Sequence, residues 1–203
     1  NQTRPDIAYA VGKLARRMSS PTEADWRAAK GVLRYLQGTR NMGIVYRKKA
    51  AMEGWVDADF AGDKDNRKST TGFVFTLHGG AISWRSRMQR LVATSTATAE
   101  YVAAAEAVKD SLWLRRVVGD LGEEAGPVTL KEDNQACIAM ATNEGMSSRT
   151  KHSEVCYHFI RDCVEQQQVV LEYVPSEQQL ADGFTKALPR DTFEQFRMGL
   201  GVM

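Results

Sequence analysis

The stretch from Glu53 to Val92 constrains the fold more than any other part of the chain. Three short runs, Gly54–Phe60, Gly72–Leu77 and Ala81–Trp84 continuing toward Val92, carry strand-like composition, and Gly79-Gly80 supplies a tight hairpin turn between the last two. Three strands in a meander are the economical reading. Beyond them the texture changes to helices and strands in alternation. A long helix opens at Ser95 or Thr96, keeps Tyr101, Ala104, Ala105, Val108, Leu112, Val118 and Leu121 at helical spacing, and stops at Gly122. Val128–Glu132 then reads as a strand, the segment with Ile138 and Met140 as a helix, Thr150–Gln166 as a helix, Val169–Val174 as a last strand, and Glu177–Thr185 as a helix after Pro175. The order βββ, α, β, α, α, β, α predicts an α/β fold with helices packed on a sheet.

Before this unit, Ile7, Val11, Leu14 and Met18 recur at spacings of four, three and four behind Pro5. A second amphipathic helix is signalled by Ser20-Pro21-Thr22-Glu23, read as a capping box with proline at the first helical position. Trp26, Ala29, Leu33 and Leu36 form its apolar face and Gly38 ends it. A short strand over Gly43–Tyr46 and the basic cluster Arg47-Lys48-Lys49 follow. The expected division is a helical hairpin and connection over 1–50 and an α/β domain over 51–203, and a chain that enters a helix so soon after Asn1 reads as part of a longer polypeptide.

Composition narrows the function classes. A 43% hydrophobic and 26% charged content belongs to a folded domain, and the net charge of +2 leaves any nucleic-acid affinity to a local basic face. No apolar run reaches the roughly 18–20 residues that span a bilayer, so no membrane partner is expected. Cys137, Cys156 and Cys163 contain no C-x-x-C pair and read as reduced thiols. His152 and His158 are six apart, off the spacing that lets two imidazoles on one helix reach one ion, and His78 falls in a turn. Neither a G-x-x-x-x-G-K-[ST] nor a G-x-G-x-x-G loop occurs.

Acids at element boundaries carry the remaining chemistry. Alternation in Trp55-Val56-Asp57-Ala58-Asp59-Phe60 puts Asp57 and Asp59 on one side of a strand with Trp55, and Val56 and Ala58 on the other. A carboxylate inside such a strand is costly to desolvate without a cation or hydrogen bonds. Glu100 lies in the first turns of the long helix, Asp133 at the end of the fourth strand, and Asp182 in the last compact helix. Each alone fits a cap or a surface charge. Four acids from four elements that can meet at one rim of a sheet suggest an oxygen-only site for a hard divalent ion, magnesium or manganese.

Several strings are familiar. Trp55-Val56-Asp57-Ala58-Asp59-Phe60-Ala61-Gly62-Asp63, Arg67-Lys68-Ser69-Thr70-Thr71-Gly72-Phe73 and Ile82-Ser83-Trp84-Arg85-Ser86 resemble the ribonuclease H region of copia-type retrotransposon polyproteins. Thr98-Ala99-Glu100-Tyr101, Asp133-Asn134-Gln135, Arg149-Thr150-Lys151-His152, Tyr157-His158-Phe159-Ile160-Arg161 and Gln179-Leu180-Ala181-Asp182-Gly183-Phe184-Thr185-Lys186 follow in the family's order. Arg4-Pro5-Asp6-Ile7 and Leu33-Arg34-Tyr35-Leu36-Gln37-Gly38-Thr39 resemble the tail of the reverse transcriptase of the same polyprotein. No Tyr-x-Asp-Asp polymerase motif is present.

The resemblance implies a ribonuclease H-like fold, a five-stranded mixed sheet with its first and fourth strands adjacent. It also implies hydrolysis of the RNA strand of an RNA–DNA hybrid with two Mg²⁺ ions, Mn²⁺ serving as substitute, held by Asp57, Glu100, Asp133 and Asp182. Asp59 competes with Asp57 for the first place. Asn134 and Gln135 are the implied hybrid contacts, and Arg67, Lys68 and Arg85, with Lys64, Arg87 and Arg90, are candidate phosphate contacts. Lys151, His152 and Lys186 match family motifs without a separable role. The implied partners are the hybrid and the upstream reverse transcriptase, in the cytoplasm or a virus-like particle, with the nucleus left open. Two departures stand out: Thr98 replaces a customary glutamate, and Pro175-Ser176-Glu177 lacks the histidine that assists product release in many relatives, leaving Glu177 as the nearest substitute. A non-catalytic nucleic-acid-binding domain from a decayed element is the rival reading.

Overall fold

The computed structural model describes residues 2–47, 50–63, 65–123, 126–142 and 151–203, with the backbone alone described for 151–156. Strands β1 (Glu53–Asp59), β2 (Thr70–Leu77) and β3 (Gly80–Met88) form the meander, and β4 (Val128–Glu132) and β5 (Val169–Tyr173) complete one sheet in the order β3-β2-β1-β4-β5. The first three strands pair antiparallel, while β4 runs parallel to β1 and β5 parallel to β4. The first and fourth strands are neighbours, as the ribonuclease H-like topology requires.

The β2–β3 turn is shifted by one residue from the expected glycine pair. Leu77 pairs with Gly80, so His78 and Gly79 form the two-residue loop, both at positive φ, which is the backbone handedness that matches the twist of the strands it joins. At Gly72 a side chain is excluded outright. A Cβ there would come within 2.6 Å of the Thr185 methyl and 2.9 Å of Phe184 Cβ, so the helix bearing those residues lies directly on β2.

Helices cover both faces. Alternation along β1 sends Val56 and Ala58 into one core with Phe73, Phe75 and Leu130. There they meet α3 (Thr96–Asp120), whose buried face of Ala99, Ala103, Ala104, Ala107 and Val108 is small enough to lie close on the sheet. Helices α4 (Gln135–Thr142) and α5 (Lys151–Glu165) add Cys137, Tyr157 and Ile160 to the same core. On the opposite face Val74, Ala81 and Trp55 meet Phe184 of α6 (Asp182–Thr185), Phe196 of α7 (Arg190–Gly199), Leu200 and Val202.

The first 47 residues join this second core. After a 3-10 turn at Pro5–Ile7, α1 (Ala8–Ala15) buries Ala8 there, and Met42 and Ile44 pack beside it. Met18, expected on the apolar face, lies beyond α1 and is exposed. Asp6 is buried because Arg4 pairs with it at 2.7 Å and the Tyr35 hydroxyl of α2 (Glu23–Gly38) donates to it at 2.6 Å.

Three further local expectations are corrected, and one helix is added. The cap of α2 is Thr22, whose hydroxyl accepts from the Asp25 amide while Asp25 accepts from the Thr22 amide, so Pro21 precedes the cap and does not open the helix. The expected strand at Gly43–Tyr46 is a single bridge, Ile44 to Val202, closed by the Gly43 amide on Met203 O at 2.9 Å. The expected helix over 177–185 divides into a 3-10 turn at Ser176–Gln178 and α6, because the Gln179 side chain donates to Val56 O and accepts from the Ala181 amide, folding the chain around itself. Helix α7 was not anticipated. Phe193 and Phe196 give it an apolar edge, but Arg190, Asp191, Glu194 and Arg197 mask the pattern.

Candidate active site

Asp57 sits two residues from the end of β1, opposite Gly72. It is 6% exposed. Its carboxylate accepts a short hydrogen bond from the Thr185 hydroxyl of α6. Glu100 arrives from the other layer in the second turn of α3. That helix start is fixed twice: Ser95 caps it by accepting the Thr98 amide at 3.1 Å, and buried Gln89 donates to Ala99 O at 2.9 Å and Thr71 Oγ1 at 3.1 Å. Asp133 follows β4 directly, and Ser176 donates to its carboxylate at 2.6 Å. Oxygens of Asp57, Glu100 and Asp133 all lie within 4.8 Å of one another.

Asp182 opens α6 beside this group but outside that mutual distance, and its carboxylate lies 2.9 Å from Lys186 Nζ. Asp59 is separated from Asp57: it is half-buried and near Lys13, Lys186 and Arg16, with its carboxylate folded over Gly62. Of the two acids in the motif, Asp57 is the one among the converging oxygens.

The electrostatics follow from burial and crowding. Asp57 is pushed up to about 7, first by burial and then by Asp182 and Asp133, against the bond from Thr185. Glu100 is pushed up to about 11 by burial, then by Glu132 and Asp57, and one of its oxygens is buried without a hydrogen-bond partner among the described residues. Burial also raises Asp182, opposed by Lys186. Buried, mutually repelling carboxylates with an unsatisfied oxygen are a donor set suited to a hard cation.

Glu132 is the surprise. It is fully buried behind the site, pushed up to about 8 by burial, with one oxygen accepting the Asn134 amide at 3.0 Å and the other without a described partner. Alternation in β4, which sets Glu132 on the same inward face as Val128 and Leu130, is the signal that could have found it. Thr185 and Ser176 were also missed as partners, being 128 and 43 residues from the acids they hold.

The expected substrate contacts divide. Asn134 caps α4, its side-chain oxygen accepting the Cys137 amide at 3.0 Å, and Gln135 is exposed beside it. Arg67 is exposed in the β1–β2 loop and Lys68 is half-buried there. Arg85 is engaged elsewhere, paired with Glu106 of α3 at 3.3 Å and stacked over Phe73, so it supports the fold. Arg87 and Arg90 are exposed. Lys64 and Arg149 lie outside the described residues, as do the side chains of Lys151 and His152.

Carboxylates gathered at the rim of a sheet with this strand order define a ribonuclease H-like domain. No known family profile matches the chain. Its sequence is 42% identical over 201 residues to the retrovirus-related Pol polyprotein of transposon TNT 1-94 from Nicotiana tabacum, covering 98% of this chain and 15% of that protein. It is 38% identical over 203 residues to the corresponding polyprotein of transposon RE1 from Arabidopsis thaliana, covering 98% of this chain and 14% of that protein. A solved ribonuclease H1 isolated from compost, LC11-RNase H1, aligns with a TM-score of 0.49 at 17% identity over 71% of this chain and 96% of its own. The chain belongs to the family of retrovirus-related transposon Pol polyproteins, and it spans about one seventh of the length of these relatives.

Proposed function

We propose that this domain hydrolyses the RNA strand of RNA–DNA hybrids, using two divalent ions held by Asp57, Glu100, Asp133 and Asp182. The convergence of Asp57, Glu100 and Asp133 within 4.8 Å carries the reading. The donor set fits Mg²⁺, with Mn²⁺ as substitute, because every candidate ligand is a carboxylate and one oxygen of buried Glu100 has no described protein partner. Ions bound there would activate the attacking water and stabilise the leaving 3′-oxygen.

The chain's own residues supply position. Thr185 fixes the rotamer of Asp57, Ser176 that of Asp133, and the Ser95 cap and Gln89 set the height of Glu100 on the sheet. Gln135 and the side-chain amide group of Asn134 stand next to Asp133, where they would read a minor-groove 2′-hydroxyl, the group that distinguishes RNA from DNA. Arg67, Lys68, Arg87 and Arg90 are the remaining phosphate contacts. The upstream reverse transcriptase of the same polyprotein is the natural partner, and the cytoplasm or a virus-like particle the natural setting.

Cleavage of a labelled hybrid in Mg²⁺ or Mn²⁺, with single-stranded and duplex RNA as controls, tests the reading. Hybrid-specific cutting abolished by Asp57→Asn and by Asp133→Asn is expected. Intact hybrid binding without cutting in either metal would refute it and leave a nucleic-acid-binding domain.

A further inference from the structure

Among the acids stands a cation that the proposed chemistry does not use. Lys186 ends α6, its amide donating to Asp182 O at 3.0 Å while its Nζ lies 2.9 Å from the Asp182 carboxylate. Its charge also reaches Asp57 and Asp133. Asp182 is the one acid of the four outside the mutual 4.8 Å group; it reaches Asp57 on one side and faces this ammonium on the other.

The packing of α6 limits how this pair can rearrange. Helix α6 is clamped to the sheet by the Thr185 bond to Asp57 and by Phe184, buried against the Phe196 ring at 5.1 Å between centroids. The backbone of Asp182 is therefore held, and only side chains can turn. The side chain of Asp182 is 16% exposed and that of Lys186 is 50% exposed, so the ammonium is the partner with the more open route to water.

We propose that Lys186 is a positioning residue for Asp182, a resident cation that occupies this carboxylate and must yield it before a divalent ion can use it. Lys186 thereby sets the metal concentration at which the four-acid site fills. This rests on the metal-dependent reading above. An arginine can repeat the ion pair; an uncharged side chain cannot.

Mn²⁺ binding to the full chain, followed by calorimetry or by the loss of the free-ion paramagnetic signal, tests this without requiring turnover. Removing a unit charge a few ångströms from the site should tighten Mn²⁺ binding about three- to tenfold in Lys186→Met. Lys186→Gln is the second uncharged variant should the methionine fail to fold by circular dichroism. Lys186→Arg should stay within about twofold of the parent. In an Asp182→Asn background, Lys186→Met should tighten binding clearly less than in the parent, since most of the effect runs through Asp182 and only the reach of the ammonium to Asp57 and Asp133 remains. Unchanged or weaker binding in the uncharged variants, or equal tightening in the Asn background, would overturn the proposal. A parent chain that binds no Mn²⁺ would instead overturn the metal-site reading and this inference with it.

Discussion

Asp57→Asn should stabilise the metal-free protein at alkaline pH while removing its activity. The carboxyl rises from 3.8 to about 7 on folding, chiefly through burial. Because the folded value lies above the unfolded one, the folded state holds its proton over a range in which the unfolded state has lost it. Stability from this group is fully present below about pH 4 and is lost as pH rises through about 7. Linkage across that shift costs the fold about 1.5 kcal/mol at pH 5 and about 4 kcal/mol at pH 8, a difference of about 2.5 kcal/mol. For a domain of this size that is about 5–10 °C in Tm. Glu132, raised to about 8, and Glu100, raised to about 11, act in the same direction. Asparagine keeps an acceptor for Thr185 and carries no charge. Thermal unfolding in EDTA at pH 5, 6.5 and 8 should therefore show the parent losing stability with pH and the variant losing less, the variant being the more stable at pH 8 by about 2 kcal/mol. A parent Tm that is flat or rises from pH 5 to 8, with the variant no more stable, would refute the claim that burial and crowding strain this carboxylate.

Thr185→Val removes the hydroxyl that orients Asp57 and should lower kcat about tenfold with KM for the hybrid unchanged, Thr185→Ser restoring most of it; steady-state cleavage separates the two constants. Arg85→Ala should cost about 1 kcal/mol or less in urea unfolding, its partner Glu106 being partly exposed, and should leave hybrid affinity within about twofold, because the guanidinium is committed to α3. Residues 51–203 expressed alone should be less stable than the whole chain by several kcal/mol, roughly the burial of Ala8, Met42 and Ile44 against Val74 and Ala81, as differential scanning calorimetry of the two would show.

The sheet was legible because its strands alternate and its turns carry glycine. Val56 and Ala58 face one core and Trp55 the other, as period-two reading of that strand requires. Elements stabilised by distant partners were not legible. Phe193 and Phe196 declare α7 only when Phe184 and Tyr35 are brought to them, and the break at 179–181 depends on Gln179 reaching a carbonyl 123 residues away. The N-terminal strings show the same limit. Arg4-Pro5-Asp6 and Tyr35 through Thr39 were each recognisable, yet that they bind each other through Arg4 and Asp6 follows only from the fold. At the site, position along or after a strand singled out Asp57 and Asp133, while the hydroxyls that aim them lie too far along the chain for local pattern to find.

Those hydroxyls explain how the acids are aimed without a cation on each. A fold that brings acids together can relieve their repulsion by pairing each with a cation, which lowers their pKa values and also neutralises the charge a divalent ion needs. Here Asp57 is held by Thr185, Asp133 by Ser176, and Glu132 by a backbone amide, all neutral donors, while Asp182 faces the Lys186 ammonium. The neutral donors fix direction without adding positive charge, and burial leaves Asp57, Glu132 and Glu100 holding protons that a divalent ion would displace. Arginines that a less constrained rim would attract are occupied elsewhere, Arg85 on Glu106 and Arg16 within 3.9 Å of Asp63. The repulsion is carried instead by the packing of two separate cores, Phe184 and Phe196 behind Asp57 and the alanine face of α3 behind Glu100. Because the acids come from opposite layers of one sheet, neither core can relax to separate them without exposing its own apolar surface. That opposition is what keeps a high-energy cluster of carboxylates ready for an ion.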